Sequence, residues 1–216
     1  WPKLISVHEV QIRHTDDVAR RVELFHQIAQ IYEVRLDQTR PAFETYARAV
    51  KEDVANEDSL AAFERLAELS NGWPEVVALY DEQLKGITDR DRGVEMALRI
   101  AQIYEVQLGD LDNAVVGYRR ALDFDPENKA AIRSLARLYE AGGNAPELAE
   151  ALRKEIAVAD SPEEILELRF RLGRLLQVQL NDLDGAIECY REILAAAPEH
   201  AQTLSAVELL FAEGVK

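Results

Sequence analysis

The chain has 216 residues, of which 48% are hydrophobic, enough to build a continuous core. Its 40 acidic residues outnumber 25 basic ones and give a formal net charge of −15. Nucleic-acid binding requires a basic surface that neutralises phosphates, so no nucleic acid is expected as a partner, and docking on an anionic membrane is disfavoured for the same reason. The negative charge promotes solubility, and steering of a basic partner is the alternative.

Cysteine content and hydropathy further limit the classes of protein to which the chain could belong. Cys189 is the only cysteine, so an internal disulfide and a thiolate metal cluster are both excluded. No apolar run approaches the ~18 residues of a membrane span, so direct membrane insertion is not expected. No secretory signal is present, but the chain begins at Trp1 rather than Met. The true N-terminus is therefore expected to be missing, which leaves the compartment open, with the cytoplasm favoured.

The sequence repeats itself every 72 residues, in copies 1–72, 73–144 and 145–216. The segment IAQIYEV at 28–34 recurs at 100–106, and VQLGDLDNAVVGYRRAL from Val106 returns as VQLNDLDGAIECYREIL from Val178. A fixed period of this size is typical of a solenoid, in which each unit buries its apolar face against its neighbours. We therefore predict a single elongated domain over 1–216.

The predicted helices can be followed in chain order from the middle copy onward. Apolar residues recur at i, i+3, i+4 and i+7 from Val94 to Leu108, with a second apolar stripe that predicts packing on two sides. Glycine or proline residues mark the end of each predicted helix. The four predicted helices span 94–108, 111–122, 129–139 and 146–158.

A strong start signal follows at Ser161-Pro162-Glu163-Glu164, which combines a capping serine, a proline at the first helical position and a glutamate three residues after the cap. Applied to the whole chain, the 72-residue offset predicts about twelve helices. Loops of two to five residues predict that successive helices are antiparallel neighbours.

The two helix pairs of each copy resemble tetratricopeptide repeats, which place a large residue, a small residue and a tyrosine on helix A, and alanines around an aromatic on helix B. The third copy has Leu172-Gly173 of this motif literally, followed by Ala186, Tyr190 and Pro198. The middle copy matches it at Ala97, Ile100-Ala101, Tyr104, Ala114, Tyr118, Ala121 and Pro126. Small residues let the two backbones approach closely, and the aromatic fills the space beside them.

The alternate units match the motif less well. Glu64 and Glu208 stand where helix A has a small residue, and Gln11, Gln83 and Glu155 stand at the second small position of helix B. The better-matching units carry one extra residue between the tyrosine and the following turn. The period is therefore a two-unit repeat, similar to large bacterial tetratricopeptide arrays, and the resemblance implies an all-α, right-handed superhelical solenoid.

The chain begins and ends inside a hairpin, in the same phase of the repeat. Trp1-Pro2 aligns with Trp73-Pro74, which opens a B helix, and Gly214-Val215-Lys216 follows an A helix. Apolar residues at both ends are expected to be ready for packing: Leu4, Val7, Leu204, Val207 and Leu210. We expect a segment of a longer array; the alternative is head-to-tail pairing between molecules.

No pattern of catalytic, metal-binding or cofactor-binding residues is found. The four histidines lack paired spacing such as HExxH, and Gly142-Gly143 is a helix stop rather than a phosphate-binding loop. Carboxylates are plentiful, but on solvated helix faces this is ordinary. We therefore expect no enzymatic activity, no metal and no cofactor.

The resemblance implies that outward positions of the A helices line a concave groove that holds extended peptides or partner helices. Carried over to this sequence, the candidate partner-binding residues are Glu23, His26, Gln30, Arg65, Leu98, Gln102, Arg133, Arg137, Phe170 and Arg174. An arginine cluster beside an exposed Phe170 would clamp an acidic or aromatic-bearing peptide; the alternative is that the arginines pair with glutamates such as Glu140 and Glu167. Related chaperone-binding repeats hold a terminal carboxylate with Lys and Asn at these groove positions. Gln30, Gln102, Arg137 and Arg174 stand there instead, so that carboxylate clamp is not expected.

Two functions follow from this interpretation. The first is a non-catalytic scaffold that binds a protein or peptide partner in the groove. The alternative is a structural spacer or self-assembling rod within a large multidomain protein, stacked head to tail through uncapped ends.

Overall fold

The computed structural model describes residues 1–212, which form twelve α-helices and no β-strand. The predicted all-α fold of helix hairpins is therefore confirmed, while Gly214-Val215-Lys216 lies outside the described residues. The helices are α1 Pro2–Arg13, α2 Val18–Gln30, α3 Thr39–Glu52, α4 Glu57–Ser70, α5 Trp73–Leu84, α6 Arg90–Gln102, α7 Leu111–Phe124, α8 Lys129–Gly142, α9 Ala145–Val158, α10 Pro162–Val178, α11 Leu183–Ala196 and α12 Ala201–Ala212.

Two helices end in π-helical turns, Ile31–Arg35 after α2 and Ile103–Gln107 after α6. In each turn a backbone N–H reaches back five residues, from Leu36 to Ile31 and from Leu108 to Ile103, both at 3.1 Å. These turns stand where the sequence carries one extra residue after the tyrosine. A π-helical turn accommodates such a residue inside the helix instead of breaking it.

The start of α10 confirms the predicted cap. The hydroxyl of Ser161 accepts the backbone N–H of Glu164 at 3.1 Å, and the helix begins at Pro162. The Glu164 carboxylate accepts the N–H of Asp160 at 3.2 Å, one residue earlier than the usual capping box. Asp17 and Asp89 cap α2 and α6 at the positions 144 and 72 residues before Ser161, with bonds of 3.3 and 3.0 Å.

Left-handed backbone positions end the same helices in all three copies. Asp37, Gly109 and Asn181 have φ values of 54°, 65° and 52°, and they are spaced by 72 residues. Glycine, asparagine and aspartate are the residue types that adopt this conformation most readily. Equivalent helices of the three copies thus end in the same left-handed conformation, although the residue at that position differs each time.

The described chain divides into two compact units, Trp1–Ala114 and the residues from Val115 onward. In the first unit Phe43 stacks on Phe63 with ring centroids 4.6 Å apart, and Phe63 meets Tyr80 edge-on at 6.2 Å. In the second unit α10 packs against both α9 and α11. That all three copies form one right-handed solenoid stays a prediction.

The crossing of α10 and α11 depends on a glycine. A Cβ atom at Gly173 would lie 2.7 Å from Cε1 of Tyr190, a distance too short for any side chain. Both Gly173 and Tyr190 are buried, so the two backbones approach as the motif predicts.

We expect Gly173→Leu to lower the free energy of unfolding by about 1–3 kcal/mol, because the added side chain overpacks this crossing. Gly142 is a matched control, since its Cβ would meet nothing closer than 3.5 Å and it lies exposed in α8. Gly142→Leu should be neutral or slightly stabilising. Urea unfolding of both variants measures the difference, and equal midpoints would show that the helix register is wrong.

Candidate functional site

Two of the candidate arginines are engaged by glutamates of neighbouring helices. Arg65 on α4 binds Glu33 through two parallel contacts, at 2.7 and 2.8 Å. Arg133 on α8 binds Glu164 at 2.6 Å and Glu155 at 3.4 Å. The Glu155 residue is only 8% exposed, so Arg133 partly neutralises a buried carboxylate. These arginines contribute to packing between helices.

The equivalent positions His26, Leu98 and Phe170 are half-buried. Nε2 of His26 lies 2.7 Å from the hydroxyl oxygen of Ser59. Because that hydroxyl donates to Oδ1 of Asn56 at 2.9 Å, its oxygen is left to accept the Nε2–H of His26.

Phe170 lies beside the ring of Tyr190, with centroids 6.1 Å apart, and beside His200 at 5.8 Å. It is therefore partly enclosed by its neighbours, where the sequence predicts an exposed ring.

The remaining candidates are exposed on A helices. Glu23 pairs with Arg20 on the same helix. Gln30 and Gln102 occupy the position that Arg174 holds in the third copy, and all three are exposed. Arg137 is exposed on α8. Among the described residues, Arg174 makes neither a hydrogen bond nor an ion pair, and its charge acts on the nearby hydroxyl of Tyr190.

A pocket of about 380 Å³ lies between α8, α9 and α10 and brings Phe170 and Arg174 together. Its apolar lining includes the buried side chains of Leu148, Leu152 and Leu175. The other lining residues are Tyr139, Glu140, Gly143, Ala145, Arg171, Val178 and Gln179. Arg171 donates to Glu140 at 3.2 Å, which leaves Arg174 as the lining cation without a carboxylate partner in the described part of the chain.

The first copy has an equivalent pocket of about 370 Å³ between α1, α2 and the π-helical turn after α2. Its lining residues are Trp1, Leu4, His8, Gln27, Gln30, Ile31, Val34 and Arg35, and each precedes a lining residue of the third-copy pocket by 144 positions. The guanidinium of Arg35 lies over the ring of Trp1, 5.4 Å from its centroid. The same backbone position is therefore tryptophan in one pocket and Ala145 in the other.

Ala145 is the site residue that sequence reasoning missed. The signal was available, because the dipeptides Trp1-Pro2 and Trp73-Pro74 align with Ala145-Pro146 in the third copy. A search for functional motifs does not select Ala145, because its methyl side chain has no reactive or polar group. Only the comparison of copies shows that a large side chain has been exchanged for a small one.

Two further findings concern residues 1–212. Within that range, no group of three or more histidine, cysteine, aspartate or glutamate side chains is placed to hold a metal ion. In the same range, no helix combines the length and apolar character needed to cross a membrane.

The fold and the site define a repeat protein built from helix hairpins. Residues 94–128 and 166–200, which are related by the 72-residue period, match the family model of the tetratricopeptide repeat. These two segments are therefore tetratricopeptide repeats, and the resemblance found in the sequence is confirmed for them. Both matches fall on the better-conforming units of the two-unit period. Such repeats generally serve as protein-interaction scaffolds.

Solved structures of other repeat proteins are similar at low identity. MamA is 14% identical, with 84% of this chain and 94% of MamA covered and a TM-score of 0.45. YrrB, described as a protein with an unusual peptide-binding site, is 13% identical over 86% of this chain and 91% of its own, with a TM-score of 0.43. A tetratricopeptide repeat protein from Parabacteroides merdae is 17% identical over 90% and 74%, with a TM-score of 0.46. No curated protein matches the sequence.

His26 should make stability depend on pH. Burial lowers the pKa of His26 from its ordinary value of 6.5, and the charge of Asp58 opposes this in part. The unfolded chain then binds more protons than the folded one as pH falls. The contribution of neutral His26 to the free energy of unfolding is therefore complete above about pH 6.5. It is lost as the pH falls through the lowered pKa of His26.

We expect this dependence to disappear in His26→Leu, which installs the residue found at Leu98. The wild-type free energy of unfolding minus that of the variant should be smaller at about pH 5 than at about pH 7.5. Urea titrations at both pH values measure it. A difference that stays constant between them would contradict a lowered pKa at His26.

Proposed function

We propose that the chain is a non-catalytic scaffold that binds a segment of a partner protein on the exposed surface of its A helices. In the second unit, the A-helix surface is defined as the exposed parts of α8 and α10 with Arg137, Arg174 and the pocket beside them. The observation that carries the proposal is this pocket, in which an apolar lining and an uncompensated guanidinium lie together. Binding sites in proteins typically combine an apolar wall with a few placed polar groups.

The surface is suited to binding because it is already formed. Leu148, Leu152 and Leu175 are each no more than 6% exposed, so packing between helices fixes the walls of the pocket. A preformed surface loses little conformational entropy when a ligand binds, which leaves more of the contact energy for affinity. A flexible partner segment would carry most of the ordering cost.

The chemistry of the pocket supports binding without catalysis. Its charged lining residues are Glu140, Arg171 and Arg174. Arginine stays protonated in proteins, so it acts by charge and hydrogen bonding and not by proton transfer. Glu140 is held by Arg171. Elsewhere, burial raises the pKa of the Cys189 thiol, which disfavours the nucleophilic thiolate.

A random-peptide selection on the immobilised chain would test the scaffold function. Selected peptides should bind the wild type and lose about tenfold or more in affinity with Arg137→Glu/Arg174→Glu, because charge reversal at a binding surface repels the chosen ligands. Titration calorimetry or fluorescence anisotropy gives the affinities.

The matched control reverses two exposed arginines of B helices, Arg153 on α9 and Arg191 on α11. Both pair only locally in the described chain, with Glu150 and Glu188 at i,i+3 spacing. Arg153→Glu/Arg191→Glu changes the net charge equally and should alter affinity less than twofold. A selection that yields no peptide, or equal losses in both variants, would contradict the proposal.

A second candidate function, a self-stacking rod, is favoured by the apolar surface of α1. Leu4, Val7 and Val10 are 40, 52 and 52% exposed on this helix, and Trp1, which precedes it, is 54% exposed. On α12, Leu204 and Leu209 are 41 and 55% exposed. Leu210, predicted from the sequence as a residue ready to pack at this end, is already buried at 3% exposure.

We expect stacking of this kind to raise the mass measured by light scattering as the protein concentration rises, without a plateau. Val7→Asp should abolish the increase, because it places a charge in the contact. Val116→Asp is the control, since Val116 is 43% exposed and belongs to α7, not to α1 or α12. A constant monomer mass at all concentrations would rule out the rod.

A further inference from the structure

One face of α1 is exposed, although the same face of its equivalent helices is buried. By the 72-residue period, α1 corresponds to α5 and α9. Leu4 and Val7 on α1 are 40 and 52% exposed. The equivalent side chains are at most 6% exposed, namely Val76 and Leu79 on α5 and Leu148 and Ala151 on α9. Among residues 1–212, this face of α1 is thus left open to solvent.

The first unit shows which helices cover this face on α5. Leu79 of α5 lies around one pocket with Phe43 of α3 and Phe63 of α4. Helix α5 therefore packs against both α3 and α4. Helix α6 also approaches α4, since Leu60 and Met96 line a shared pocket. A pair of helices, α5 and α6, thus covers the pair that precedes it.

Helices α11 and α12 correspond to α3 and α4, and they have exposed side chains where α3 and α4 are covered. Ile187 on α11 is 39% exposed, whereas Phe43 is 2% exposed. Leu204 on α12 is 41% exposed, whereas its equivalents Leu60 and Ile132 are each 1% exposed. The open surface of α11 and α12 is therefore the counterpart, in the repeat, of the open face of α1.

Polar groups at the two ends also complement each other. Glu64 on α4 accepts the hydroxyl of Tyr80 at 2.8 Å. Glu208 occupies the equivalent position on α12 and is exposed. His8 on α1 occupies the position of Tyr80, 72 residues earlier. Because histidine carries an N–H donor in either tautomer, His8 of a second molecule would supply the same kind of donor to Glu208.

We propose that α1 and α2 of one molecule pack against α11 and α12 of a second copy of this chain. The register is the one in which α5 and α6 pack against α3 and α4. The inference rests on the proposed self-stacking rod, and it names the helices and the register of the contact. Such a contact is heterologous, because each molecule contributes a different surface.

The register divides the exposed apolar residues of α1 and α12 into two groups. Val10 and Leu209 correspond to Glu82 on α5 and Arg65 on α4, which are themselves exposed. Both residues therefore lie outside the contact. The contact includes Leu4, Val7, Ile187 and Leu204.

Two variants of the whole chain, each blocked at one end, test the contact. Val7→Asp blocks α1 and Leu204→Asp blocks α12, because each places a carboxylate in an apolar contact. Each variant alone should need at least about tenfold more protein than the wild type to assemble. An equimolar mixture should form a dimer, since Val7→Asp keeps an intact α12 and Leu204→Asp keeps an intact α1. Light scattering after size exclusion distinguishes the dimer from the monomer of 24.4 kDa.

Val10→Asp and Leu209→Asp are the matched controls. Val10 is 52% exposed, the same fraction as Val7, and Leu209 is 55% exposed. These variants add the same charge to the same helices and should assemble within about twofold of the wild-type concentration. Far-ultraviolet circular dichroism verifies folding. If Leu204→Asp does not fold, Ile187→Asp blocks the same end from α11.

The outcomes separate this contact from the rod itself. If the wild type assembles but the mixture stays monomeric, or if Val10→Asp blocks assembly as fully as Val7→Asp, the proposed register is wrong and the rod stands. Dimers of Leu204→Asp alone would show that α1 pairs with α1, which also overturns the proposal. A wild-type chain that stays monomeric at every concentration overturns both the contact and the rod.

Discussion

The close approach of two helices at a small residue is the contact on which the rest of the structure depends. Gly173 leaves room for the ring of Tyr190, and in the first copy the fully buried Ala29 occupies the equivalent place beside a buried Tyr46. Because the helices touch at these points, the small residues and the tyrosine rings pack closely, and the outward residues of each A helix have fixed positions. The surface proposed for binding is therefore positioned by the packing of the core.

The local features of this fold could be predicted from sequence, because they depend on neighbouring residues. The cap at Ser161 and the helix stop at Gly143 are examples, since each is decided within four residues. The partners of long side chains could not be predicted. Arg65 with Glu33 and Arg133 with Glu155 join helices, so their pairing requires knowledge of how hairpins pack. Burial at Leu210 and partial burial at Phe170 were misjudged for the same reason.

The pocket could have been anticipated only by comparing the copies. Its defining residue is Ala145, which matters because of what the other copies carry there. In a repeat protein the equivalent positions provide an internal reference, so a departure from the repeat is more informative than a residue's own chemistry. The same comparison separates Arg174 from Gln30 and Gln102, although all three are exposed side chains on A helices.

The π-helical turns after α2 and α6 have a consequence for the length of the repeat. An extra residue in a regular α-helix would rotate every following side chain by about 100°. Here a widened turn takes up that residue at the helix end, and the left-handed residues Asp37 and Gly109 follow at the same spacing. The same five-residue reach recurs in the third copy, from the N–H of Leu180 to the carbonyl of Leu175 at 3.2 Å, and the left-handed Asn181 follows it. The extra residue is therefore a fixed part of the 72-residue period, held by the same hydrogen bond whether aspartate, glycine or asparagine follows.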